Sequence, residues 1–170
     1  MKSQLLPTTL AALALALPIF SCAKVATPDD FNQQGEIALQ ELDYDAAKAN
    51  FEGALAVLAQ DSTSPDYLQA KLGLIESLVY LDPDSCAAEF TSLATELPGG
   101  GPPLKDYVYI AGLLANAGHL ESGFAVADLG NQRFPDAPGL VKVFENIAEK
   151  AKNVGSSKLN EGLAGLGYLE

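Results

Sequence analysis

The stretch FNQQGEIALQELDYDAAKANFEGALAVL, residues 31–58, indicates two helices separated by a turn. Its apolar residues recur at intervals of three and four, which is the period of an amphipathic helix and not of a strand. The segment 43–45 interrupts this pattern, so we expect one helix over residues 29–42 and a second over 45–60. No later segment shows the alternation of a strand, and the sequence therefore predicts an all-α fold.

The two-helix pattern recurs along the chain. Three small residues lie 38 positions apart in the first helix of successive pairs: Gly35, Gly73 and Ala111. A small side chain at such a position lets a neighbouring helix approach closely. The expected pairs span residues 29–62, 65–98 and 103–135, and a seventh helix is expected over residues 138–152.

This unit resembles the tetratricopeptide repeat (TPR), a helix–turn–helix motif of about 34 residues. The first unit carries the family's pattern best, at Phe31, Gly35, Tyr44, Ala47, Phe51 and Ala54. The resemblance covers residues 29–152 and implies a right-handed α-solenoid of about three repeats, closed by the helix over 138–152 as a C-terminal cap. The Gly- and Leu-rich tail, residues 153–170, is either a short docked helix or a mobile tail.

Residues 1–22 have the order of a secretory signal, with a positive start, an apolar run and small residues after it. The run is shorter than the roughly 20 residues that a membrane-spanning helix needs. The segment IFSC, residues 19–22, resembles a bacterial lipobox, which implies acylation of Cys22 followed by a short linker over residues 23–28. Ordinary cleavage that leaves Lys24 first is the alternative. In both cases we expect export to the periplasm or cell envelope, and acylation would add a membrane anchor.

The acidic charge argues against one class of partner. The chain has 170 residues, with 10 Lys and Arg against 22 Asp and Glu, and a formal net charge of −12. Such a chain is repelled by phosphate backbones, so nucleic acid is not an expected partner. The excess is concentrated in residues 23–100, which carry 14 acidic and 3 basic residues. This charge is either a solubilising surface or a means of attracting a basic partner segment.

The sequence offers little material for catalysis or metal binding. It has one histidine, His119, and two cysteines, Cys22 and Cys86. Its paired acidic residues lie at expected helix starts, where such side chains cap exposed N–H groups. We therefore expect no enzyme activity, no catalytic residue, no metal and no cofactor.

In the TPR family, the first helices of the repeats line a groove that receives a peptide or a helix of a partner. For this chain the resemblance implies eight groove residues: Asn32, Gln33, Glu36, Gln40, Tyr67, Lys71, Tyr109 and Asn116. Their mixture of polar and aromatic side chains suits peptide recognition.

The expected function is that of a membrane-anchored adaptor lipoprotein that mediates protein–protein interaction in the bacterial cell envelope. Its partner is expected to be a protein or peptide, and the charge favours a basic one. One alternative is a periplasmic module that binds a peptide or small ligand in a pocket formed by tyrosines: Tyr67, Tyr80, Tyr107 and Tyr109. The other alternative is a structural protein that self-associates through its third repeat and its tail.

Overall fold

The computed structural model describes residues 26–59, 61–97 and 101–169, and within these ranges it contains eight α-helices and no strand. The helices are α1 (Pro28–Gln40), α2 (Tyr44–Leu58), α3 (Pro65–Leu81), α4 (Pro83–Glu96), α5 (Leu104–Asn116), α6 (Leu120–Arg133), α7 (Pro138–Ala151) and α8 (Ser157–Gly165). The predicted all-α fold is confirmed. The expected signal, residues 1–22 with Cys22, lies outside the described residues. Within the described ranges, no helix has both the length and the apolar character needed to cross a bilayer.

Prolines and capping side chains define the helix starts. Each of α1, α3, α4 and α7 begins with a proline, whose fixed φ and missing N–H suit the first helical position. At α1, the Thr27 hydroxyl accepts a hydrogen bond from the Asp30 N–H at 3.1 Å, and the Asp30 carboxylate accepts one from the Thr27 N–H at 2.9 Å. Asp43 and Asp82 likewise accept from an N–H three residues later. These local signals explain why the helices begin close to the expected positions.

The first helix ends earlier than expected, at Gln40 rather than at residue 42. The turn into α2 passes through Leu42, whose φ of 61° is left-handed. Helices usually leave through this conformation at Gly or Asn, because a Cβ atom is disfavoured there. A leucine at this position fits the apolar stripe of α1, so the sequence pattern placed the end of α1 two residues too late although it indicated a turn between the two helices.

The helices contact one another both along the chain and across it. Among consecutive helices, the most extensive contacts join α1 to α2, α2 to α3 and α5 to α6. In addition, α1, α3, α5 and α7 contact one another in that order, and so do α4, α6 and α8. The odd-numbered helices therefore form one row, which places side chains from four separate helices on a shared face.

The regular spacing of small residues corresponds to close packing contacts. The ring of Phe51 on α2 is fully buried between Gly35 of α1 and Gly73 of α3. A Cβ atom at Gly35 would lie 2.6 Å from the ring, and one at Gly73 would overlap it. In the third pair, a Cβ atom at Gly123 would lie 3.1 Å from the carbonyl oxygen of the buried Ala111. Small residues thus let α1, α3 and α5 approach the helices beside them.

The tail forms a docked helix, which is one of the two alternatives that the sequence left open. Leu159 and Leu163 of α8 are buried, and Tyr168 stacks on Phe144 of α7 with ring centroids 5.2 Å apart. α8 contacts both α6 and α7. The helix expected over residues 138–152 as the C-terminal cap is therefore followed by another helix. This helix, α8, covers part of the apolar side of α7.

Candidate functional site

A shallow cavity of about 240 Å³ lies where α1, α3 and α5 meet. Its polar lining side chains are Glu36 from α1, Gln69 and Glu76 from α3, and Asp106 and Tyr109 from α5. We call this surface the α1/α3/α5 face. It is built from α1, α3 and α5 of the odd-numbered row, together with the ring of Phe51 from α2, which also lines the cavity.

Hydrogen bonds between side chains connect neighbouring helices along this row. The Gln69 amide donates to Glu36 Oε1 at 2.7 Å, which joins α1 to α3. The Tyr109 hydroxyl donates to Glu76 Oε1 at 2.8 Å, which joins α3 to α5. The Asn146 amide donates to Asn116 Oδ1 at 3.2 Å, which joins α5 to α7. All three bonds lie at exposed positions, so a partner could contact or replace them.

Two tyrosines on this side of the molecule are unusually exposed for large aromatic residues. Tyr109 is 50% exposed and Tyr80 is 44% exposed. The Tyr80 ring stacks on Tyr44 with centroids 4.2 Å apart. Partial burial, together with the charge of Glu76, raises the pKa of Tyr109, and partial burial and Tyr44 raise the pKa of Tyr80. Both phenols therefore remain protonated at neutral pH and can serve as hydrogen-bond donors.

The face is acidic. Glu36, Glu76 and Asp106 all line the cavity, and none of the described residues that line it is a lysine or arginine. Asp106 is buried, and burial raises the pKa of its carboxyl group, an effect that the nearby Lys105 opposes. A concave surface with carboxylates and no lining cation attracts basic groups.

The predicted groove residues divide between this face and other places. Glu36 and Tyr109 line the cavity, and Asn116 lies in the α5–α7 hydrogen bond of the same row. Gln33 and Gln40 are exposed on α1. Five of the eight residues therefore lie at exposed positions on the odd-numbered row.

The other three predicted residues are placed elsewhere. Asn32 is fully buried, and its amide donates to the Asp66 carbonyl oxygen at 3.2 Å, so it helps to join α1 to the start of α3. Tyr67 is buried as well. Lys71 forms an ion pair with Glu89 of α4 at 3.0 Å. Tyr67 and Lys71 together line a different cavity, between α2 and α4.

Sequence reasoning missed Gln69, Glu76 and Asp106. The signal for the first two was present, because they lie four residues before and three residues after Gly73, which was correctly placed at a helix contact. Using Gly73 to set the helical phase of α3 selects Gln69 and Glu76. The residues of α3 that the family resemblance implied, Tyr67 and Lys71, lie on the opposite side of the helix.

The four tyrosines proposed for a ligand pocket are not all brought together, although Tyr80 and Tyr109 lie near each other. Tyr107 is buried between Phe90 and Phe134, with ring centroids at 5.0 and 5.9 Å. Tyr67 lines the cavity between α2 and α4, whereas Tyr109 lines the α1/α3/α5 face. No cavity found among the described residues is walled by all four tyrosines.

Cys86 and His119 are the cysteine and the histidine of the part of the chain that the structure describes. Cys86 is fully buried, and burial raises the pKa of its thiol to about 12, so it carries no thiolate at neutral pH. His119 lies at the start of α6 without making a capping hydrogen bond. In the part of the chain that the structure describes, no group of three or more His, Cys, Asp or Glu side chains is arranged to hold a metal ion.

The chain was compared with known protein families, curated proteins and solved structures. No family model, no curated protein and no solved structure matches it. Function is therefore inferred from the geometry and charge of the chain's own surfaces.

Proposed function

We propose that this protein is a non-enzymatic helical-repeat adaptor that binds a basic segment of a partner protein on its α1/α3/α5 face. The observation that supports this most directly is that three carboxyl side chains and an exposed tyrosine surround one cavity there. Carboxylates pair with Lys and Arg, and tyrosine faces attract the same cations. Tyrosine is also enriched at protein interfaces because it offers a large contact area with few rotatable bonds.

The arrangement of helices in this proposal is a right-handed α-solenoid of three TPR-like pairs, followed by α7 and α8. Two observations support it. The odd-numbered helices contact one another in series. The hydrogen bonds that join them recur at similar sequence separations, of 33, 33 and 30 residues. Such a repeat presents equivalent positions of successive helices along one continuous surface.

The proposal places the adaptor outside the cytoplasm, attached to a membrane through acylated Cys22. Its support is the sequence order of residues 1–22. Mass spectrometry of the mature N-terminus tests it, with Cys22→Ser as the variant that cannot be acylated. We expect a lipid-modified Cys22 as the first residue. An unmodified chain that begins at Lys24 would exclude the anchor.

Affinity purification from envelope extracts tests the binding function. We expect a specific partner to co-purify with the wild-type protein and to survive moderate salt. The double variant Glu36→Lys with Glu76→Lys reverses the charge of the face and should lose that partner. The control is Glu145→Lys with Glu161→Lys, which makes the same change in net charge at exposed positions on α7 and α8.

Three outcomes would contradict the proposal. The wild-type protein could retain no partner above background. Both double variants could lose the partner equally, which would indicate a general charge effect. The face variant could keep its partner, which would place the binding surface elsewhere. Circular dichroism of each variant checks that the helices are intact.

A further inference from the structure

The second surface of interest is a cleft between α2 and α4. These two helices do not pack against each other in the way that α4 packs against α6. The space between them contains two cavities, of about 710 Å³ and about 500 Å³. Glu52 of α2 borders both cavities, so they are parts of one feature, which we call the α2/α4 cleft.

A single stripe of α3 forms the floor of this cleft. Its members are spaced by four, three, four and three residues: Tyr67, Lys71, Leu74, Leu78 and Leu81. At about 1.5 Å per residue, the stripe is roughly 21 Å long, or about four helical turns. Leu74 and Leu78 are buried, with exposures of 8% and 6%, whereas Leu81 is 38% exposed, so the accessible apolar surface of the floor lies at the Leu81 end.

The floor lies on the side of α3 opposite to the α1/α3/α5 face. Gln69 and Glu76 point toward that face, whereas Leu74 and Leu78 border the cleft. Helical geometry, at 3.6 residues per turn, separates these two sets by nearly half a turn. One helix therefore contributes to two independent surfaces.

The walls of the cleft are acidic. Its lining includes five carboxyl side chains and two lysines. Both lysines already have carboxylate partners, Lys48 with Glu52 at 2.7 Å and Lys71 with Glu89 at 3.0 Å. The remaining acidic lining residues are Asp45, Asp82 and Glu96. The cleft as a whole therefore has an excess of negative charge.

We propose that the α2/α4 cleft binds a basic amphipathic helix of a partner protein. The apolar side of that helix packs on Leu81 and on the accessible lining residues Leu55 and Ala56 of α2, and its Lys and Arg side chains pair with the carboxylates of the two walls. The length of the floor matches a helix of about four turns. An apolar groove with charged walls selects an amphipathic helix of the opposite charge.

A pair of synthetic peptides tests this proposal on the purified protein. The first is a helical peptide with leucines spaced by three and four residues and lysines beside them, and the second has glutamate in place of every lysine. We expect the basic peptide to bind at least tenfold more tightly than the acidic one. Changes in the amide NMR signals should map to α2, α3 and α4.

Variants of the protein show where on its surface the basic peptide binds. Glu52→Lys with Glu96→Lys reverses one charge on each wall and should weaken binding of the basic peptide at least tenfold. Glu145→Lys with Glu161→Lys makes the same net charge change at exposed positions on α7 and α8, away from both surfaces, and should leave this binding unchanged. Leu81→Gln removes apolar floor at a partly exposed position and should weaken binding several-fold.

The proposal is overturned if neither peptide binds, if the acidic peptide binds as tightly as the basic one, or if the two double variants weaken binding equally. It is also overturned if the NMR changes map to the α1/α3/α5 face. Loss of the natural partner by the Glu36→Lys, Glu76→Lys variant alone would leave the cleft proposal intact, because the α1/α3/α5 face and the α2/α4 cleft share no lining residue.

Discussion

At the scale of single residues, the absence of a side chain at Gly73 is a requirement of the fold. Alanine in place of glycine normally stabilises a helix interior by about 1 kcal/mol. Here the added methyl group would overlap the Phe51 ring. We expect Gly73→Ala to destabilise the protein by about 1–3 kcal/mol, which is typical of overpacking. Urea unfolding followed by circular dichroism measures this free energy.

Gly112 on α5 provides the matched control. A Cβ atom there would meet nothing within 4 Å. Gly112→Ala should therefore leave the free energy of unfolding unchanged or raise it by up to about 1 kcal/mol. Equal stabilities of the two variants would show that the ring can move aside, contrary to the packing described above.

Asp106 predicts a pH dependence of stability. Burial raises the pKa of its carboxyl group in the folded protein above that of the unfolded chain. The folded state therefore favours the neutral form, so this group costs stability once the pH rises above its unfolded pKa. Asp106→Asn should be more stable than wild type at neutral pH, and this advantage should disappear in acid, where both forms are neutral. Unfolding curves at several pH values test it.

For Asp61 the expected effect of pH on stability is opposite to that for Asp106, so Asp61 serves as the comparison. Hydrogen bonds from the hydroxyl and N–H of Thr63 lower the pKa of Asp61. Its ionised form is therefore favoured by folding, and this contribution is lost as the pH falls through the folded pKa. Asp61→Asn should be less stable than wild type at neutral pH and equal to it in acid. If the stabilities of Asp106→Asn and Asp61→Asn relative to wild type changed in the same direction with pH, the causes assigned to the two pKa shifts would be wrong.

At the scale of the elements, α8 is held by very few apolar side chains. Leu163 is fully buried there. We expect Leu163→Ala to release α8, at a cost of about 2–5 kcal/mol for packing against α6 and α7. Hydrogen exchange of the amides in residues 157–165 should speed up markedly. Val154→Ala, at an exposed position just before α8, should change exchange little.

The seven longer helices were predictable because their apolar residues repeat with a helical period and because five of them, α1 to α4 and α7, begin with a proline or a capping side chain. α8 was left undecided because it has only nine residues and contains two glycines, so its pattern is short and its propensity low. The end of α1 was missed because Leu42 takes a backbone conformation that its side chain does not signal.

The candidate site was predictable only in part, because the residues that face a groove depend on how each helix is rotated about its own axis. An error of two residues in α3 exchanges one side of the helix for the other. This is why Tyr67 and Lys71 were predicted instead of Gln69 and Glu76, whereas the predicted residues Glu36 and Tyr109 do line the α1/α3/α5 face. Contacts between separate helices, such as that from Tyr109 to Glu76, carry no local sequence signal.

At the scale of the whole molecule, the uneven charge predicts how binding responds to salt. Residues 23–100 carry 14 acidic and 3 basic residues, and both proposed surfaces involve this part of the chain. We expect the association rate with the partner to fall by roughly tenfold as salt screens the attraction. Stopped-flow measurements at increasing salt test it. For the Glu36→Lys, Glu76→Lys variant the association rate should depend less on salt. If the salt dependence of the rate were unchanged, the charges of the α1/α3/α5 face would not be what attracts the partner.

The position of Phe51 has a consequence for how the protein can be divided. The ring belongs to the first helix pair. Of the two glycines that the ring contacts, Gly35 and Gly73, the second belongs to the next pair. A fragment cut between the pairs would leave one side of the aromatic ring in water. The first helix pair expected from the sequence is therefore not a unit that can fold separately, and the smallest autonomous piece at this end must extend through α3.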